Sequence, residues 1–222
     1  MAYTDELAHT VAELTQSAVD GFRYYKSYHQ FRRSELGVVD DIVIDVTSRR
    51  GGGAPYRLSF IFGVQYRDVE KIIAKVKGTK VTPWDRTILQ NSYNIAPKRD
   101  MRFDGETVWS GIDDVSDLGK IKGSICTFLS QFVLSYHDRF HNIDELRERL
   151  AADDGWVLNQ TPYEQILAID VLRDDSVRAV QYLEWLQAKV DGGYNFDRER
   201  FNEFYIALRL DHPSVMPKFS LK

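Results

Sequence analysis

Arg49 and Arg50 stand directly ahead of Gly51-Gly52-Gly53, and Lys98, Arg99 and Arg102 crowd a second short stretch behind Pro97. Cationic groups beside a glycine-rich turn are the raw material of a phosphate site, because arginine meets phosphate oxygens with paired N–H donors. A nucleotide-binding P-loop demands more. It needs G-x-x-x-x-G-K-[ST] running into a helix, so that lysine, hydroxyl and helix N-terminus all face the anion. Behind Gly53 the chain reads Ala54-Pro55-Tyr56 and then alternates like a strand, with no lysine or hydroxyl in place. The glycines therefore read as a hairpin turn that needs positive φ angles. The five basic residues remain candidate binding groups for an acidic partner or a phosphate, provided that their two loops meet.

His137 and His141 lie four residues apart in a helical stretch, the separation at which two imidazoles can share a zinc ion. The metalloprotease form puts glutamate after the first histidine; here it is Asp138. A third ligand would have to come from Asp144, Glu145 or Glu148. The competing reading makes His141 a helix-end residue that favours the dipole. Cys126 is eleven residues from His137, about 16 Å along a helix, and lies in an apolar run where an inert buried thiol is common. The pairs Asp40-Asp41, Asp113-Asp114, Asp153-Asp154 and Asp174-Asp175 fall at predicted element boundaries, where aspartate caps helices or faces water. No nucleophile, base and orienting group converge, so no catalytic residue, metal or cofactor is assigned.

The segment Phe22–Arg33 mixes aromatic and basic side chains, which can stack on and neutralise single-stranded nucleic acid. An outer strand packed on the first helix explains it equally well. The net charge of −4 and the lack of an RNP-type motif favour the strand and count against nucleic acid as a partner. Residues 1–112 carry 16 Lys+Arg against 14 Asp+Glu, whereas residues 113–222 carry 13 against 19. The second part is thus the natural contact surface for a basic partner.

The elements that must position these residues follow from periodicity. Leu7, Val11, Leu14 and Ala18 recur at helical spacing, with Thr4 as cap and Gly21 as stop. Residues 22–34 read as a first strand. Alternation over 41–47 and 56–64 puts Ile42, Ile44, Val46 and Leu58, Phe60, Phe62, Val64 on strand faces, flanking the glycines as a hairpin. Asp68 caps a short helix that ends at Gly78. Further strands are expected within 84–96 and 104–112. From Val115 to Phe140 one long helical stripe runs from Leu118 to Phe140. Later helices open behind Asn142, at Thr161-Pro162, at Ser176 with Val177 and Val180 inward, and at Asp197, before an extended tail.

Strands first and helices second imply an α+β fold: a mainly antiparallel sheet with an N-terminal helix, followed by a helical C-terminal layer. The expected division is a strand-rich part, 1–112, and a helical part, 113–222, packed on the same core. With 222 residues, 43% apolar and one cysteine, such a core needs no disulfide staple. No apolar run approaches the ~20 residues that cross a bilayer, and the N-terminus lacks the apolar region of a signal peptide. No membrane association and a cytoplasmic location are therefore expected.

The leading helix, then Gly21-Phe22-Arg23-Tyr24, Phe31-Arg32-Arg33, an alternating strand, a glycine-bearing turn and Tyr56–Val64, resembles a bacterial family of α+β domains of unknown function. The likeness covers about the first 110 residues. It implies a non-catalytic, accessory or immunity-like role and carries over no functional residue. A protein-binding role is the first expectation. An enzyme or binder acting on a phosphorylated or nucleic-acid ligand through the basic loops is the alternative.

Overall fold

The computed structural model describes residues 2–48, 53–94, 103–152, 161–219 and 221. In chain order the elements are α1 (Ala2–Thr15), β1 (Arg23–Tyr25), β2 (Gln30–Glu35), β3 (Val38–Ser48), β4 (Tyr56–Tyr66), α2 (Arg67–Val76), β5 (Ile88–Asn91), β6 (Trp109–Ile112), α3 (Leu118–Thr127), α4 (Leu134–Phe140), α5 (Ile143–Ala151), α6 (Pro162–Leu172), α7 (Ser176–Asp191) and α8 (Arg198–Asp211). This is the α+β architecture expected from the order of periodicities. Their contacts form two compact units. One holds the described residues of 2–65 and 88–142; the other holds those of 66–87, 143–152 and 161–221. No helix among the described residues is long and apolar enough to cross a membrane.

The first unit is a sheet in the order β1-β2-β3-β4-β5, with β6 also paired to β4. The stretch 22–34 is two strands rather than one. A one-turn 3-10 segment, Lys26–Tyr28, breaks it, and His29 follows in the left-handed region at φ 48. β1 and β2 then pair antiparallel, as do β2 and β3. β3 and β4 are hydrogen-bonded neighbours, as the flanking alternation requires. Gly53, the one glycine of the triplet within the described residues, is exposed and does not adopt a positive φ.

The helical stripe from Val115 lies against this sheet. Between α3 and α4 the chain widens into a π-helical segment, Phe128–Val133. Its extra residue per turn lets Phe128, Leu129, Phe132 and Val133 all be buried. Phe128 stacks on Phe132 at 5.7 Å and meets Phe60 at 6.0 Å, while Tyr136 meets Phe62 edge-on at 4.9 Å. Such aromatic pairs add roughly 0.5–1.5 kcal/mol each beyond their burial.

The second unit is built round α6, whose residues from Tyr163 to Val171 are all buried. A helix surrounded on every side shows no amphipathic stripe; α2, α5 and α7 pack against it. Its polar side chains need buried partners. Asp170 has one in Arg147, whose Nε and a second nitrogen donate at 2.9 and 3.0 Å. Several caps differ from expectation. Thr4 lies inside α1, Asp68 lies within the first turn of α2 behind Tyr66, and Asp175 rather than Ser176 caps α7 by accepting the Arg178 N–H at 2.9 Å. Val177 is 65% exposed, because the true cap is one residue earlier and the helix begins on its outer face. Asp197 does cap α8, accepting the Arg200 N–H at 3.1 Å.

Candidate functional site

Arg49, Arg50, Lys98, Arg99 and Arg102 all lie outside the described residues. The other candidates of the sheet unit gather round a residue assigned from sequence to a boundary. Asp40 is not a solvated cap. It is buried on β3, directly opposite Arg33 on β2. Arg33 donates to it from Nε at 2.9 Å and from a terminal nitrogen at 2.8 Å, and His141 Nε2 lies 2.8 Å from its Oδ1. Burial alone would raise the Asp40 carboxyl. The His141 hydrogen bond and the neighbouring positive charges outweigh burial and hold it below its ordinary value. The same hydrogen bond raises His141. Asp41 is buried too and accepts from Gln30 at 2.7 Å.

His137 does not extend this cluster toward a metal. It is fully buried with its ring 5.6 Å from Phe22 and 5.8 Å from Tyr136. Burial pushes it down to about 4, against the pull of Asp40, so it is neutral at pH 7. Among the described residues no three His, Cys, Asp or Glu side chains are placed to hold a metal ion. The aromatic residues of 22–33 divide. Phe22 and Phe31 enter the core, while Tyr25 and Tyr28 stay exposed. Arg33 lies over Phe22 at 4.9 Å but spends its donors on Asp40. Cys126 is half-buried, 4.0 Å from the Leu14 carbonyl.

The helical unit holds two buried glutamates that sequence reading passed over. Glu164 on α6 pairs with Lys77 at 3.0 Å and more loosely with Arg200 at 3.5 Å. Glu70 on α2 meets the Thr87 hydroxyl at 2.8 Å. Burial pushes Glu70 up to about 7, with the Thr87 hydrogen bond opposing it.

A cavity of about 290 Å³ opens between α6, α7 and the start of α8, lined by the rings of Tyr163, Tyr182, Trp185, Tyr194 and Phe196. Local sequence places each ring. Tyr182 and Trp185 are three apart on α7 and stack at 5.5 Å. The helix ends at Gly192-Gly193, and Gly193 takes φ +90, which only glycine adopts readily. The chain turns back there, the Tyr194 N–H reaching the Lys189 carbonyl at 3.0 Å. Tyr194 and Phe196 are thereby brought to the cavity, and Phe196 meets Tyr163 at 5.5 Å. Arg200 and Asp197, three residues apart at the start of α8, complete the wall. The Tyr163 hydroxyl is buried without a hydrogen-bond partner. Burial pushes it up to about 12, so it is a donor at any ordinary pH.

The cavity was legible only in fragments. A tyrosine and a tryptophan at helical spacing and the run Gly192-Gly193-Tyr194-Asn195-Phe196 are visible in the sequence. Nothing local says that they converge on Tyr163. No family model, curated protein or solved structure matches the chain.

Proposed function

We propose that the chain is a non-catalytic binding protein, accessory or immunity-like in role, which recognises a partner protein through the aromatic cavity of its helical unit. One observation carries this reading: five aromatic side chains line one cavity, and Arg200 in its wall makes a single long side-chain contact, 3.5 Å to Glu164. Ligand sites are typically apolar concavities of about 300–1,000 Å³ with a few convergent polar groups. A cavity of 290 Å³ stands just below that range, so it suits one inserted side chain or ring rather than an extended ligand. Burying ~100 Å² of apolar surface there contributes about 2.5 kcal/mol. The acidic balance of residues 113–222 favours a partner with a basic surface, and binding should weaken as salt screens it.

The test uses the full-length protein and its Trp185→Ala variant as paired baits at low ionic strength, with circular dichroism to show that the variant is folded. The reading requires at least one protein retained by the wild type and lost by the variant. Identical retention, or retention of no protein by either, overturns it.

A further inference from the structure

We infer that the occupant of the aromatic cavity is an arginine side chain of the partner protein. The inference rests on the reading of the cavity as a binding site and adds the identity of the group that fills it.

The rings alone would accept any flat or apolar group; the charges beside them make the choice. The face of an aromatic ring carries the negative part of its quadrupole and attracts a cation, tryptophan most strongly. The Trp185 ring already draws one: Lys189 Nζ lies 5.4 Å from its centroid, although Lys189 does not line the cavity. Two charged residues do line it, Asp197 and Arg200. The Arg200 guanidinium contacts Glu164, which lies outside this cavity and lines a neighbouring cleft with Lys77. Its charge is thus drawn to that cleft. Asp197 has no such counter-ion. Its Oδ1 accepts the Arg200 backbone N–H at 3.1 Å, and its carboxylate forms no ion pair among the described residues. The side chain is exposed, so its charge is open to an incoming group. Tyr194 also stays 45% exposed, an aromatic surface available to the same group.

Aromatic surface with one unpaired carboxylate calls for a cation, and the acidic balance of residues 113–222 favours the same sign. Arginine suits the cavity better than lysine. Its guanidinium is planar and stacks on rings, and it is more weakly hydrated than an ammonium, so it gives up less on entering an aromatic wall. Its five donors also let it reach Asp197 while stacked. A cavity of about 290 Å³ admits one such side chain.

The matched probes are the peptide Gly-Ser-Arg-Ser-Gly, N-acetylated and C-amidated, and its counterparts with lysine or citrulline in place of arginine. Citrulline keeps the shape and loses the charge. Binding to the full-length protein is followed by NMR shift titration at low salt. The arginine peptide is expected to bind at least tenfold tighter than the citrulline peptide and a few-fold tighter than the lysine peptide. Asp197→Asn keeps an acceptor for the α8 cap and removes the charge; it should cut the preference over citrulline to threefold or less. Tyr194→Ala, at an exposed position, should weaken the arginine peptide a few-fold, and Trp185→Ala should remove its binding. Citrulline or lysine binding as tightly as arginine, or a preference that survives Asp197→Asn, overturns the inference. So does the failure of every peptide to bind, although partner capture lost in Trp185→Ala would still uphold the cavity as a binding site.

Discussion

Asp40 in the sheet unit and Tyr163 in the helical unit are both buried polar residues beside an arginine, yet they belong to opposite kinds of site. Round Asp40 the charges are spent on one another. Arg33 supplies two donors, His141 a third, and the carboxylate lies in the strand register that brings Arg33 opposite. Round the cavity, Tyr163 has no partner and Arg200 only one long one. A closed set of charges holds a fold together. An open set leaves hydrogen-bonding capacity unused, which is costly for the buried Tyr163 hydroxyl and costs little for the half-exposed Arg200.

The largest loss of stability is expected at Asp40. Asp40→Ala leaves Arg33 and His141 facing an apolar gap and should cost about 3 kcal/mol, somewhat less than a fully buried pair because both partners are partly exposed. Urea unfolding measures it, and a loss below about 0.5 kcal/mol would show that the cluster is not structural.

Acid and base act next, in opposite senses on the two units. His137 has its folded value lowered from 6.5 to about 4. The unfolded chain therefore binds the proton first, and stability present above pH 6.5 is lost as pH falls toward 4. Glu70 has its folded value raised from 4.5 to about 7. Here the folded chain holds the proton longer, and stability present below pH 4.5 is lost as pH rises toward 7. Each change is worth at most about 3 kcal/mol. Wild type should thus show a shallow profile between pH 4 and 7. Glu70→Gln should steepen it into a rise toward neutral pH; a variant profile parallel to wild type would contradict the assignment.

Tyr163→Phe should act in the opposite direction to Asp40→Ala. Deleting a buried hydroxyl that has no partner should raise stability by about 1 kcal/mol, whereas loss of stability would mean that the hydroxyl is already served. Arg200→Gln should change the unfolding midpoint least, by under about 0.5 kcal/mol, because its half-exposed side chain has one long contact. A larger loss would move Arg200 into the structural class with Arg33.

Much of the fold was legible because period follows directly from burial on one face. The alternation from Tyr56 to Val64 and the stripe from Leu118 to Phe140 needed no tertiary knowledge, and neither did the cap at Asp197. α6 was legible only through its Thr161-Pro162 start, since a helix buried all round erases its own stripe. Asp40 was misread for a related reason. A local rule assigns a boundary aspartate to water or a cap, and only cross-strand register reveals that Arg33 stands opposite.

The α+β class, the neighbouring strands on either side of the glycines and the placement of most helices follow from local residue order, because propensity, capping and periodicity act within a few residues. Long-range packing brings the polar groups together: Asp40 with His141 across 101 residues, Arg147 with Asp170 across 23, and Tyr163 with the rings of α7 and the turn behind it. Those pairings depend on how layers pack, and packing is settled by volume and burial shared among segments distant in the chain.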